Sequence, residues 1–296
     1  MLREYARKCL LSVRRTWIYK RLRRLLGQTR AWQFFGSVLR GHYSLGRLIN
    51  GVGIGEGSES LRAIVRSELL ANSERKLYPQ VEALISLYRE IDGLTTFPKF
   101  GRWAVDPDFI VLVYDRVRNE GIQRVLECGS GSSTIALAEL ARAQGVDVFI
   151  DSLENNPIVY EHVVAEIERR ELTDYAKIHF TPLRRYRYAN LEEEFEWYNL
   201  ESLPLFETYG CLIVDGPAAP NDSFARYPAG PELFHRIVPK GVIFLDDARR
   251  SGEATLPRMW RDIYPDLGVR FHETAKGAFE LVDLQHHSEA WVVGSE

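Results

Sequence analysis

Cysteine is scarce in this chain, and long hydrophobic runs are absent. Cys9, Cys128 and Cys211 form neither a disulfide framework nor the paired spacing of a zinc site. The apolar runs fall short of the roughly 18 residues that a transmembrane helix needs, and the N-terminal arginines are too widely spread for a signal peptide. These absences exclude a disulfide-stabilised secreted domain and a membrane-spanning protein. We therefore expect the chain to be cytoplasmic.

Acidic residues are almost missing from the first 50 residues. This segment holds twelve Lys/Arg residues and one acid, Glu4, a balance of +11, whereas the whole chain carries −3 and the remainder therefore −14. Its apolar residues recur at helical spacing. Residues 1–50 fit an interfacial helix on the anionic inner face of the membrane, and equally a helix that packs on the rest of the chain or makes a homo-oligomer. No nucleic-acid partner is expected, because the remainder is acidic.

The hydrophobic pattern divides the chain near residue 95. Residues 1–95 predict a basic helical extension, in which glycines at every second position from Gly51 to Gly57 indicate a flexible hinge. A phosphate-binding loop is disfavoured there, because no Gly-Lys-Ser/Thr follows. In residues 96–296, short apolar strands alternate with helices from about residue 122. That order is typical of an α/β fold with a doubly wound, mostly parallel, seven-stranded Rossmann-like sheet.

The predicted elements can be placed along the second domain. The strands are 124–128, 146–153, 177–181, 211–215, 242–246 and 269–273, with a last one near 279–282. The helices are 134–144, 157–170, 231–237 and 256–264. The connections at the carboxyl ends of the strands are therefore the places to search for a ligand site.

A glycine turn follows the first predicted strand. The segment VLECGSGSST (125–134) reads as an apolar strand, a turn with Gly129 and Gly131, and the start of a helix. Glycine lets the chain turn sharply and lets a ligand approach the backbone. Glu154 ends the next strand, where a carboxylate can accept hydrogen bonds from both ribose hydroxyls. The turn and the acid together predict a site for a nucleoside-containing cofactor.

The details of this turn favour S-adenosylmethionine over a nicotinamide cofactor. Thr134 replaces the third glycine of a G-x-G-x-x-G motif, and the loop has no basic residue for a pyrophosphate. The acid Glu127 precedes the first glycine, where it suits the cationic amino group of a methionine moiety and repels a phosphate. The alternative is that Glu127 is only a surface carboxylate.

An ordered set of short motifs spans roughly residues 100–285. The motifs are VLECGSGSST (125–134), SLENNP (152–157), TPL (181–183), WYN (197–199), IVDGP (213–217), ARYPAGP (225–231) and GVIFLDDARR (241–250). In this order they resemble the class I S-adenosylmethionine-dependent methyltransferases, and within them an O-methyltransferase branch associated with sugar and polysaccharide genes. The resemblance implies that the cofactor-binding residues are Glu127, Gly129, Ser130, Gly131, Ser132, Glu154, Asn155 and Asp215. In that assignment the turn residues hold the methionine end, Glu154 holds the ribose and Asp215 faces the methyl group.

Three aspartates end two neighbouring predicted strands, Asp215 on one and Asp246 with Asp247 on the next. Carboxylates that converge at a sheet edge repel one another unless a hard cation is bound or a proton is held. The set resembles the magnesium site of metal-dependent O-methyltransferases, which predicts Mg²⁺ on these three residues. The alternative is that Asp246 or Asp247 caps the following helix.

Together these patterns predict a cytoplasmic O-methyltransferase that acts on a sugar or glycan-like hydroxyl, with Asp215 and Asp247 as the catalytic residues. One rival is a metal-independent methyltransferase that uses either aspartate as a general base on a small-molecule hydroxyl or amine. Another is an inactive Rossmann-like module that binds a membrane surface.

Several further polar and aromatic residues lie in or near the predicted connections. His235 and His272 are interpreted as structural or surface residues. Four residues in long connections either face a sugar or pack the domain, namely Trp197, Tyr198, Arg226 and Tyr227.

Overall fold

The structure is a computed structural model that describes residues 77–91, 98, 104–189, 191–201, 203–218, 223–283 and 285. The predictions for the basic segment 1–50 and for the glycine hinge lie outside these residues. Residues 77–90 form a helix, α1, within the predicted helical extension. None of the helices in the described ranges is long and apolar enough to cross a membrane. The domain division near residue 95 stays a prediction.

The remaining elements alternate between helices and strands. In chain order they are α2 (Pro107–Asn119), β1 (Arg124–Cys128), α3 (Ser132–Gln144), β2 (Phe149–Glu154), α4 (Pro157–Arg169), β3 (Ala176–Phe180), β4 (Leu183–Arg187), β5 (Glu194–Tyr198), β6 (Tyr209–Val214), α5 (Ala229–Leu233), β7 (Ile237–Leu245), α6 (Leu256–Arg261), β8 (Leu267–His272) and β9 (Ala278–Asp283). Short 3₁₀ turns, Phe234–Arg236 and Glu253–Thr255, precede β7 and α6.

Seven of the strands form one sheet in the order β3-β2-β1-β6-β7-β9-β8. β1, β2, β3, β6 and β7 run parallel, while β9 is antiparallel to both of its neighbours. The predicted doubly wound, mostly parallel sheet is therefore confirmed. The strand order reverses between β1 and β6, and ligands of open α/β sheets bind at the carboxyl ends of the strands beside such a reversal.

Alternate residues of the central strands supply two separate hydrophobic cores. In β6, Cys211 and Ile213 pack in one core with residues of α2, α3 and α4. Leu212 and Val214 pack in the other, with residues of β4, β5, α5 and α6. Because successive strand residues point to opposite faces, the near-continuous apolar runs of the sequence are what a sheet buried on both sides requires.

The structure corrects several predicted boundaries. The strand predicted from residue 146 begins at Phe149, because the Val146 N–H still bonds to Ala141 O beyond the left-handed Gly145 that ends α3. The helix predicted over 231–237 ends at Leu233, a 3₁₀ turn follows, and residue 237 already begins β7. α2 and the β4–β5 hairpin were not predicted.

Candidate functional site

A cavity of about 490 Å³ opens at the carboxyl ends of β1, β2 and β6. This volume lies within the roughly 300–1,000 Å³ typical of small-molecule sites. Its lining includes most of the predicted cofactor-binding residues, which are Gly129, Ser130, Gly131, Ser132, Glu154, Asn155 and Asp215, and it also includes Asp247. Residues from three separate motifs therefore share one cleft.

The glycine turn and the turn after β6 meet through their backbones. Gly129 has a φ of +96°, and a Cβ there would lie 3.0 Å from Gly216 N. The amides of Asp215 and Gly216 both donate to Cys128 O, at 3.0 and 2.6 Å. Only a residue without a side chain permits this approach. The contact fixes Asp215 beside the turn.

Gly131 differs from Gly129 in what surrounds it. No described heavy atom lies within 4 Å of the position that a Cβ on Gly131 would take, and Gly131 lines the cavity. Its amide donates to Thr134 Oγ1 at 3.1 Å at the start of α3. Gly129 therefore serves the fold, whereas Gly131 leaves space on the side from which a ligand would approach.

Glu154 ties the glycine turn to the start of α4. Its Oε2 accepts hydrogen bonds from Ser130 N at 3.2 Å and Ser130 Oγ at 3.0 Å, and its Oε1 accepts from Asn156 N at 2.7 Å. The Asn156 side chain in turn caps α4 by accepting from Ile158 N at 3.0 Å. The carboxylate is thus held in one orientation at the cavity wall.

Glu127 lies behind the glycine turn and is not among the residues that line the cavity, so its predicted contact with the cofactor stays a prediction. Its side chain is fully buried, with Oε2 accepting from Thr134 Oγ1 at 2.5 Å and from Ser152 Oγ at 2.7 Å. Oε1 has no hydrogen-bond partner among the described residues. Burial raises the pKa of Glu127 to about 7, although hydroxyl donors oppose the rise. The alternative of a surface carboxylate is wrong, and a buried acceptor with an unused oxygen lies behind the turn.

The three predicted aspartates come together as their strand positions suggested. One carboxylate oxygen from each of Asp215, Asp246 and Asp247 lies within 4.8 Å of the others. Asp246 and Asp247 are buried, and Asp215 is partly exposed to the cavity. Burial raises the pKa of Asp215 to about 6, which the Arg226 guanidinium opposes and Asp247 reinforces. Burial, with the two neighbouring carboxylates, raises the pKa of Asp246 well above its usual range.

Arg226 lies within this aspartate cluster. Its Nη2 is 3.1 Å from Asp215 Oδ1 and 2.9 Å from Asp247 Oδ2. Asp247 also pairs with Arg250 Nη1 at 2.9 Å, so its carboxylate is bound by two guanidinium groups. The sequence predicted that Arg226 either faces a sugar or packs the domain, and it did not predict these ion pairs. The signal it missed is the spacing of an arginine eleven residues after Asp215, which allows the connecting loop to return to the same sheet edge.

Of the other residues considered from the sequence, Tyr198 alone lines the cavity. Trp197 and Tyr227 are buried in the second core, which agrees with the packing alternative. Tyr198 is also fully buried but lines the cavity beside Gly216. His235 is exposed, and His272 pairs with Glu280 at 2.7 Å.

The chain is similar in fold to solved methyltransferase structures. The O-methyltransferase from Bacillus cereus, in complex with SAH, is 17% identical with a TM-score of 0.45, and the match covers 70% of this chain and 90% of that one. SAH-bound Podospora anserina methyltransferase PaMTH1 is 13% identical with a TM-score of 0.47, covering 78% and 97%. The O-methyltransferase TomG from Streptomyces achromogenes, involved in tomaymycin synthesis and in complex with SAM, is 16% identical with a TM-score of 0.42, covering 69% and 89%. No family model matches the chain, and no curated protein is significantly similar to it. The chemistry must therefore be deduced from the chain's own residues.

Proposed function

We propose that this protein is an S-adenosylmethionine-dependent O-methyltransferase that acts on a hydroxyl of a sugar or glycan-like acceptor. The observation that carries the proposal is the shared cleft, in which the open face of Gly131, the fixed carboxylate of Glu154 and the partly exposed Asp215 line one cavity. A carboxylate at the end of the second strand suits a ribose. A second carboxylate beside the turn suits proton transfer at the reacting end.

The site residues divide the work between binding and proton transfer. When bound, S-adenosylmethionine supplies an electrophilic methyl group attached to a positively charged sulfur. With the cofactor bound, Asp215 would take the proton of the acceptor hydroxyl as the hydroxyl oxygen attacks the methyl group, and S-adenosylhomocysteine would be the neutral leaving group. With a pKa of about 6, Asp215 is ionised at neutral pH and still basic enough to accept that proton. The turn and Glu154 supply orientation, which accounts for much of the rate in such a displacement.

A neighbouring cavity supports an acceptor rich in hydroxyl groups. Also about 490 Å³ in volume, it shares Ala218 with the first cavity, and its lining includes the carboxylate residues Glu193, Glu194 and Glu196 and the partly exposed ring of Phe224. Carboxylates accept hydrogen bonds from hydroxyls, and aromatic rings offer flat apolar surfaces. A screen of monosaccharides, nucleotide sugars, phenols and amines for S-adenosylhomocysteine release tests this. Turnover of an amine alone would contradict the hydroxyl acceptor.

The fit of magnesium to the aspartate cluster is a separate question. The cluster provides three carboxylate oxygens, the ligand type that magnesium prefers. Arg226 Nη2 already bridges Asp215 Oδ1 and Asp247 Oδ2, so these two oxygens as arranged do not fit a divalent cation between them. No step of the proposed mechanism uses a metal.

A cytoplasmic location stays part of the proposal. A membrane surface or a second copy of the chain is the proposed partner of residues 1–50, a segment outside the described part of the chain.

Replacing Gly131 with leucine is expected to weaken cofactor binding at least tenfold and to leave the fold intact. The new side chain meets no described atom within 4 Å at its Cβ and extends into the cavity. Isothermal titration calorimetry with S-adenosylhomocysteine should show a dissociation constant at least tenfold higher, while the melting temperature stays near that of the wild type. Gly129→Ala is the matched variant. Its strained backbone and its contact with Gly216 N should cost about 1–3 kcal/mol of stability. Wild-type affinity in Gly131→Leu, or a wild-type protein that binds no cofactor, would overturn the proposal.

Glu127 is expected to make the folded state less stable as the pH rises. Its pKa is about 7 in the folded protein against an ordinary value of 4.5, so folding favours the protonated form. Between these two values the folded state therefore binds more protons than the unfolded state, and stability falls with rising pH. Glutamine does not titrate, so the free energy of unfolding of Glu127→Gln should decrease between pH 5 and 8 by up to about 3 kcal/mol less than that of wild type. Urea unfolding across this pH range measures both. The exposed Glu161→Gln serves as control, and parallel curves for Glu127→Gln and wild type would contradict the prediction.

A further inference from the structure

The guanidinium of Arg226 is hydrogen-bonded to the acidic cluster through both of its terminal nitrogens. Besides the two carboxylates that Nη2 contacts, Nη1 donates to the backbone oxygen of Asp246 at 3.0 Å, and Nη2 also donates to the backbone oxygen of Asp215. Nε lies 3.6 Å from Glu253 Oε1. The side chain is 5% exposed. Arg226 is therefore a buried residue of the site whose position is fixed by several contacts.

The charges around the cluster are nearly balanced by protein groups alone. Lys276 Nζ lies 3.9 Å from Asp246 Oδ2, and Arg250 contacts Asp247 at 2.9 Å and Glu253 at 3.8 Å. Three bases, Arg226, Arg250 and Lys276, thus face four acids, the three aspartates and Glu253. Buried carboxylates repel one another unless a cation is present or a proton is held. Here the protein supplies the cations.

Distance alone does not decide between a metal and the arginine. Opposite ligands of an octahedral magnesium lie about 4.2 Å apart, and the cluster oxygens lie within 4.8 Å of one another, so a small contraction would suffice. What decides is the occupied space. A magnesium ion bound through Asp215 Oδ1 and Asp247 Oδ2 would have to displace the Arg226 nitrogen that lies 3.1 and 2.9 Å from these two oxygens. It would also add a double positive charge beside three cationic side chains.

We propose that the Arg226 guanidinium takes the place of a divalent cation in the Asp215–Asp246–Asp247 cluster, where it positions Asp215 for proton transfer, and that the wild-type site binds no magnesium. This inference rests on the proposed function for its catalytic consequence. Its structural part concerns the cluster alone. The guanidinium binds Asp215 through Oδ1 and through the backbone oxygen, so the carboxylate is fixed at the cavity wall. Arg226 is a positioning residue that acts through Asp215.

Binding of Mn²⁺, followed by electron paramagnetic resonance, tests the proposal without cofactor or acceptor. The wild-type chain, freed of metal by chelation, should bind no Mn²⁺ at the cluster up to about 1 mM. Arg226→Met removes the cation that bridges Asp215 and Asp247 and leaves Arg250 and Lys276 in place. This variant should therefore bind Mn²⁺ at least tenfold more tightly than wild type, and Mg²⁺ should raise its melting temperature. Arg226→Lys keeps a positive charge and should resemble the wild type. The added substitution Asp247→Asn should remove the site gained by Arg226→Met.

A matched control separates metal recruitment from general destabilisation. The Arg170 side chain is 8% exposed and pairs with Glu139 at 3.1 Å and Glu166 at 3.0 Å, so Arg170→Met also breaks a buried ion pair and should gain no Mn²⁺ affinity. Mn²⁺ binding to the wild type that Asp246→Asn abolishes would overturn the proposal, and so would a folded Arg226→Met chain that gains no affinity. If Arg226→Met does not fold, the wild-type and Arg226→Lys titrations decide. If calorimetry shows that the wild type binds no cofactor, the proposed function is refuted. The metal titrations would still test whether Arg226 replaces a divalent cation in the cluster.

Discussion

Replacing Asp215 with asparagine is expected to lower kcat by about 10²- to 10⁴-fold, the range typical of a lost general base. Asparagine keeps the shape of the side chain and an oxygen for Arg226, which lies 3.1 Å from Asp215 Oδ1, but it cannot take the acceptor proton. Cofactor affinity should change far less than kcat, because the substituted group acts on the acceptor. Both quantities can be measured, kcat as S-adenosylhomocysteine release with the acceptor found in the screen and affinity by calorimetry.

The pH profile separates loss of a base from loss of structure. Burial and Asp247 place the pKa of Asp215 at about 6, so wild-type kcat/KM should rise as the pH increases through that value. The profile of Asp215→Asn should lack this rise. The exposed Asp174→Asn serves as control and should keep both the rate and the profile of the wild type. A kcat within about threefold of wild type in Asp215→Asn would transfer the base role to another group, and Asp247→Asn would then be the next variant to measure.

The central strands and the cofactor cleft were predictable because their signals are local. Apolar runs such as 211–215 are recognisable without knowing their neighbours, and parallel strands bring their carboxyl ends to one edge wherever they lie in the sheet. Gly129, Glu154 and Asp215 therefore reach one cavity by topology alone. The three aspartates converge for the same reason.

The β4–β5 hairpin and the Arg226 contacts depend on interactions that a local pattern does not contain. β4 and β5 carry Arg and Glu at their exposed positions, so only Tyr186, Phe195 and Trp197, at alternate positions, mark them as strands. Arg226 follows a loop whose path is set by packing, and its buried partners lie on β6 and after β7. Convergence of carboxylates predicted that either a cation is bound or a proton is held. It did not specify whether a metal or a side chain supplies the charge.

Replacing Glu154 with alanine is expected to raise the dissociation constant for S-adenosylhomocysteine by about 100-fold. Two charge-assisted hydrogen bonds to ribose hydroxyls are worth roughly 3 kcal/mol or more together, and each 1.4 kcal/mol corresponds to tenfold. The loss has a second source in the protein itself. Glu154 accepts from Ser130 N, Ser130 Oγ and Asn156 N, so its removal also loosens the turn against α4. Calorimetry on the variant measures the sum of the two effects.

An analogue of S-adenosylhomocysteine without the 2′ and 3′ hydroxyls separates the ribose contact from the turn. Wild type should bind this dideoxy analogue much more weakly than the parent compound, whereas Glu154→Ala should bind the two about equally. Removing the hydroxyls lowers the binding free energy by one amount in wild type and by another in Glu154→Ala. The difference between these two losses is the coupling energy between the Glu154 side chain and the hydroxyls. Glu161→Ala, an exposed change on α4, should preserve the wild-type preference. A preference that persists in Glu154→Ala would mean that another group holds the ribose, and Glu154 would then keep only its contacts with Ser130 and Asn156.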